Sequence, residues 1–128
     1  MNQSTNHILM VRPEVFFANP QTMDTNAYQV DGASEPKDVI LQKALVEFGA
    51  YRDMLVEHGV IITNVNGHAD CPDMIFPNWA STYDDGRLII YPMRNQNRQA
   101  ERTPEIIALL KHYYPKVEDW SGYAAQGI

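Results

Sequence analysis

The sequence predicts an α/β fold assembled from two strand–helix–strand-type stretches, neither of which closes on itself. Three observations carry this. Short apolar, β-branched runs stand at both ends of a long stretch with helical spacing. A second helix with strong end signals follows a hairpin. The strands counted this way leave edges with nothing to pair them, which natural proteins normally cover.

The first strand is Ile8 to Val11, an apolar run stopped by Arg12 and Pro13. The following "EVFFANPQTMDTNAYQVDGASEP" is rich in Asn, Pro, Asp, Gly and Ser. Such residues favour turns, so the stretch reads as a long loop, ordered by its aromatics Phe16, Phe17 and Tyr28. A helix is expected from about Ser34, a capping residue, with Pro36 in its first turn. Val39, Ile40, Leu41, Ala44, Leu45, Phe48, Tyr51, Leu55 and Val56 recur at three- and four-residue steps. Gly59 is a natural stop. Val60 to Val65 reads as the next strand, and Met74-Ile75-Phe76 as a buried one. "DDG" makes a hairpin turn into a strand from Leu88 to Tyr91. Thr103 and Pro104 open a second helix, Glu105 to Tyr114, closed before Pro115. The stretch from Trp120 stays unassigned, with Gly127-Ile128 resembling the first step into another strand.

The bulk properties narrow the function. The chain has 128 residues, enough for one domain, with 45% hydrophobic and 20% charged residues. A net charge of −6 argues against nucleic acid or an anionic membrane as the main partner. No apolar run is long enough to span a bilayer, and the N-terminus does not read as a signal peptide. The one cysteine allows no internal disulfide and fits a reducing cytoplasm.

The chemistry concentrates in "CPDMIFPNWASTYDDGRLIIYPM", residues 71–93. Asp73 follows Pro72 at the mouth of an apolar run. A buried carboxylate is costly unless a cation or hydrogen-bond donors meet it, and a planar N–H pair would satisfy it. Asn78 offers both an acceptor and donors. Phe76 and Trp79 could wall a flat group. The competing reading is local: Asp73 caps a turn and Asn78 is a turn residue. "HADCPD" gathers His68, Asp70, Cys71 and Asp73, but at no standard zinc spacing, and no cofactor is expected. Cys71 reads more simply as a small buried hydrophobe than as a nucleophile served by His68. In "RNQNRQAER", Arg98 and Glu101 stand three apart and read as a structural ion pair near the site.

Met10-Val11-Arg12-Pro13, Phe16, Asn19, Thr22, Asn26 and Gln29 come first in the chain. Pro72-Asp73, Phe76-Pro77-Asn78-Trp79, Ser81, Tyr91-Pro92-Met93, Asn97-Arg98 and Glu101-Arg102 follow. This series resembles the amidinotransferase-like, or pentein, superfamily, and within it the citrulline utilization hydrolases. The resemblance implies an α/β propeller of five pseudo-symmetric ββαβ units. Residues 1–128 would form the N-terminal portion of that single domain, about two units of it.

It implies attack of a cysteine on a guanidino or ureido carbon, with a histidine handling protons. Asp73 would face the substrate nitrogens, Phe76 and Trp79 its planar group, and Asn26 would cover the site. Asn78 stands where guanidine-specific relatives often carry an acid, which favours a ureido group. Pro77-Asn78-Trp79 carries one asparagine where the family pattern has two. Pro92 stands where some relatives carry an arginine. The catalytic cysteine and histidine would lie beyond Ile128, so this chain alone is expected to be inactive. Its partners would be the small-molecule substrate and either the remainder of the propeller or a second copy. Two other readings keep the scaffold: amidino transfer to an amine, and a non-catalytic half-propeller that binds a partner through open sheet edges.

Overall fold

A computed structural model describes residues 4–23 and 35–127. It is a mixed α/β structure with two small open sheets, in two compact units, one within Gln3–Phe76 and the other within Pro77–Ile128.

The first unit is strand–helix–strand. β1 (His7–Arg12) and β2 (Ile61–Asn66) pair in parallel, from His7 opposite Ile61 to Arg12 opposite Asn66. Parallel neighbours need a crossover, and α1 (Lys37–Glu57) supplies it. Pro36 stands at the N-cap, one residue before the helix and not in its first turn, and no side chain caps the end. The expected cap, Ser34, lies outside the described residues, as do Asn26 and Tyr28. At the other end, Val60 N–H donates to the Leu55 carbonyl at 3.0 Å and Gly59 N–H to that of Val56 at 3.0 Å. Gly59 takes φ 86°, so the helix ends in a Schellman motif that needs this glycine.

The apolar series of α1 is only partly covered: Ile40, Leu41, Ala44, Leu45 and Phe48 are half-buried. None of its side chains is buried; Val39, Val46, Tyr51, Met54 and Val56 are all exposed. The reason is dimensional. Twenty-one residues make a helix of about 32 Å, whereas six-residue strands extend only about 20 Å. A two-stranded sheet is too small to cover it.

Past β2, Gly67 crosses the end of β1 closely. Its N–H donates to the Arg12 carbonyl at 2.7 Å, and a Cβ there would stand 2.9 Å from that same oxygen. Met74–Phe76 is not a strand. Met74 N–H bonds to the Cys71 carbonyl and Phe76 N–H to that of Asp73, giving successive turns. Pro72 and Pro77 bracket the run and lack the N–H groups a ladder needs. Extended structure begins only at Ala80.

The second unit is a hairpin followed by a crossover. β3 (Ala80–Thr82) pairs antiparallel with β4 (Arg87–Ile90), and Gly86 at φ 87° completes the turn. A one-turn helix α2 (Gln96–Gln99) precedes α3 (Pro104–Tyr113). Thr103 caps α3, its hydroxyl accepting from Ile106 N–H, with Pro104 in the first turn. β5 (Lys116–Asp119) then returns parallel to β4. Leu88, Ile89, Ile90, Ile106 and Leu110 are buried here. A 3₁₀ turn, Ser121–Gln126, follows, and Gly127 closes it in the left-handed region at φ 75°. Gly127 therefore closes a turn, and Ile128, the other half of the expected step into a strand, lies outside the described residues. No helix among the described residues is long and apolar enough to cross a membrane.

Candidate functional site

Asp73 sits in the turn after buried Pro72 and is itself half-buried. Its Oδ2 accepts from Asn19 Nδ2 at 2.8 Å, with the Thr22 hydroxyl at 3.5 Å. Asn19 is completely buried. Its Oδ1 accepts from Gln21 N–H at 3.0 Å, while its carbonyl accepts from the N–H groups of Thr22 and Met23. An Asn-Pro step that folds back on itself thus aims one amide donor at a carboxylate 54 positions away. A hydrogen bond of this kind orients the carboxylate. Asn19 and Thr22 belong to the series of matching residues in the sequence, yet nothing local there marks them as partners of Asp73.

Phe76 is 55% exposed. It lines an open apolar groove of about 440 Å³ with Met10, Val11, Phe16, Phe48 and Tyr51. Asp73 is not part of that lining. In the same unit Lys37 lies 4.0 Å from the Phe17 ring centroid. Cys71 is buried at 2% exposure, so its thiol does not face solvent. Among the described residues no three metal-ligating side chains gather as a metal site.

Asn78, Trp79, Arg98 and Glu101 lie in the second unit. Trp79 is 1% exposed and anchors β4 through its carbonyl, which accepts from Tyr91 N–H at 2.8 Å. It is core, not an open wall. Arg98 and Glu101 are both buried, with Nη1 3.2 Å from Oε1. Arg98 Nη2 donates to Asn78 Oδ1. Removing one partner of a buried ion pair typically costs about 3–5 kcal/mol, since the other charge stays in low dielectric. This pair is therefore a fixed anchor, and Asn78 is tied to it at the surface. In the same unit, the Tyr83 phenol is pushed above its ordinary value, first by its hydrogen bond with Tyr91, with the Arg87 guanidinium 4.5 Å from its ring acting in the opposite sense.

The geometry thus builds two prepared polar groups: an acceptor, Asp73, held by Asn19, and an amide, Asn78, held by Arg98. Comparison with known proteins adds one finding. A family model described as N,N dimethylarginine dimethylhydrolase, eukaryotic, matches residues 12–128. No curated protein and no solved structure gives a match.

Proposed function

The chain belongs to the N,N dimethylarginine dimethylhydrolase family of guanidino-modifying enzymes, and from that premise we propose that it supplies the substrate-gripping wall of a hydrolase acting at a guanidino or ureido carbon. The observation that carries the reading is Asp73, a half-exposed carboxylate with one oxygen tied down by a buried amide. Two N–H groups of a planar substrate would donate to it. Ground-state orientation of that kind lowers the entropy cost of attack.

The reaction needs an activated thiolate, which adds to the guanidino carbon as the C–N bond breaks and the amine leaves with a proton. Water then displaces the sulfur and leaves the oxygen on carbon. Cys71, buried as it is, does not suit this task. The nucleophile and its histidine would come from beyond Ile128, in a propeller of which this chain forms about two of five units. Hydrolysis of an arginine-type guanidino group leaves a ureido group, so guanidino substrates and citrulline-like compounds meet the same wall. A cytoplasmic setting suits the exposed thiolate such chemistry uses.

The test uses the purified 128-residue protein with arginine, N,N-dimethylarginine and citrulline. No ammonia or dimethylamine release is expected. NMR titration should move the Asp73 backbone amide, and Asp73→Asn should abolish that response. Amine release would overturn the assignment of the nucleophile to sequence beyond this chain. Silence at Asp73 with millimolar ligand would overturn the substrate-wall reading.

A further inference from the structure

Asn66-Gly67 is the chain's single Asn-Gly step. In an open chain this dipeptide reacts with itself, because glycine carries no side chain to keep its nitrogen away from the neighbouring amide carbon. The fold requires the glycine. A Cβ at position 67 would stand 2.9 Å from the Arg12 carbonyl oxygen and 3.2 Å from the Glu14 nitrogen. The fold also restrains it. The N–H that must be lost before the nitrogen can attack donates to the Arg12 carbonyl at 2.7 Å. Asn66 stands opposite Arg12 at the last register position of β1 and β2, and its extended backbone turns the next nitrogen away from its own side chain. The Asn66 side chain is otherwise ready: it is exposed, and no hydrogen bond holds its amide among the described residues. The Asp85-Gly86 step of the second unit differs. Arg87 N–H and Nε donate to the two Asp85 oxygens at 3.1 and 2.9 Å, and a carboxylate so held is a poor target for attack.

We propose that Asn66 is a deamidation site that the β1–β2 pairing keeps closed, so that it converts to aspartate and isoaspartate only from states in which the end of that pair has opened. In the open state the Gly67 nitrogen gives its proton to hydroxide and attacks the Asn66 side-chain carbon. The new C–N bond closes a five-membered imide as the old one breaks, and the amide nitrogen takes a proton from water and leaves as ammonia. Water then opens the imide at either carbonyl, giving aspartate or isoaspartate. Isoaspartate lengthens the main chain by one carbon between the last register position and Gly67. The Gly67–Arg12 bond then cannot re-form in the native register. The turns that carry Asp73 begin at the next residue, where the His68 carbonyl accepts from Cys71 N–H at 3.0 Å. The reaction therefore unfastens the start of that segment.

The experiment holds the 128-residue protein at mildly alkaline pH and follows Asn66 by peptide mass spectrometry with separation of the aspartate and isoaspartate forms. Native protein is compared with protein above its guanidinium chloride midpoint and with a free peptide spanning residues 60–73. The peptide and the unfolded protein should convert at similar rates, and the native protein roughly tenfold or more slower. Val11→Ala removes a buried side chain of β1 opposite Val65. It should raise the native rate several-fold, and Gly67 amide exchange by the same factor. Should that variant fail to fold, wild type in denaturant below the midpoint carries the same comparison, with conversion and exchange rising together. Native conversion as fast as the peptide's would show that the pairing closes nothing. Conversion that rises while Gly67 exchange stays constant would place the gate elsewhere. An unconverted Asn66 in both the peptide and the unfolded chain would remove the site altogether.

Discussion

Asn19 and Asp73 illustrate how a carboxylate is held at the scale of single residues. Asn19 exposes none of its surface and spends its amide on two targets, Asp73 Oδ2 and the Gln21 N–H. Replacing it with alanine removes both bonds and leaves a small void. A hydrogen bond to a charged group contributes about 1.5–3 kcal/mol, reduced here because water reaches the half-exposed Asp73. Asn19→Ala should therefore lower stability by about 1–2 kcal/mol in urea unfolding, with an unchanged m-value. Asn19→Asp should cost more, since it sets a carboxylate against a carboxylate at hydrogen-bond distance. A midpoint indistinguishable from wild type in both variants would show that Asn19 does not support this turn. Asp73 stands out in the sequence, because a lone acid between a proline and an apolar run is conspicuous. Its partnership with Asn19 does not, because the two meet only through tertiary folding.

At the scale of elements, what could be read depended on where the information sits. The second helix was legible to within a residue, because Thr103, Pro104 and Pro115 mark its ends locally. The stop of α1 at Gly59 was legible for the same reason. Met74–Phe76 misled, because apolar composition favours a strand while Pro72 and Pro77 deny it a ladder; hydrogen bonding decides against composition. β5 went unseen, because Lys116-Val117-Glu118-Asp119 has one apolar residue and becomes a strand only by pairing with β4. The end of β5 also carries a pH dependence. Asp119 is held below the ordinary carboxyl value, chiefly by the Ser121 hydroxyl and then by the Ser121 N–H at 2.9 Å, against a smaller desolvation. A carboxyl depressed on folding stabilises fully above its unfolded value, about 3.9, and loses that contribution as pH falls through the folded value. Asp119→Asn should thus be less stable than wild type at pH 7, by a small margin because the position is exposed and screened. The gap should close on acidification below about pH 4. A gap that persists unchanged at pH 2 would assign the effect to packing and not to charge.

Across the whole chain, burial is unequal between the two units, and that inequality predicts an order of opening. Of the nine buried apolar side chains among the described residues, Trp79, Leu88, Ile89, Ile90, Ile106 and Leu110 lie in the second unit, and Val11, Cys71 and Met74 in the first. At about 1.5–3 kcal/mol for each fully buried large side chain, the second unit holds most of the burial energy. The first unit sets a long helix with no buried residue against two parallel strands, although parallel sheets are normally covered on both faces. Local stability follows contact density, so protection against hydrogen exchange should be graded. α1 amides should exchange first, those of β1 and β2 next, and those of β4 last, at the rate set by global unfolding. The same grading separates the two prepared groups: Asp73 stands in the weakly covered unit and Asn78 in the well-packed one. Uniform protection across α1 and β4 in the isolated chain would contradict this. It would mean that α1 is covered in solution, by self-association, and dilution should then unprotect it while leaving β4 unchanged.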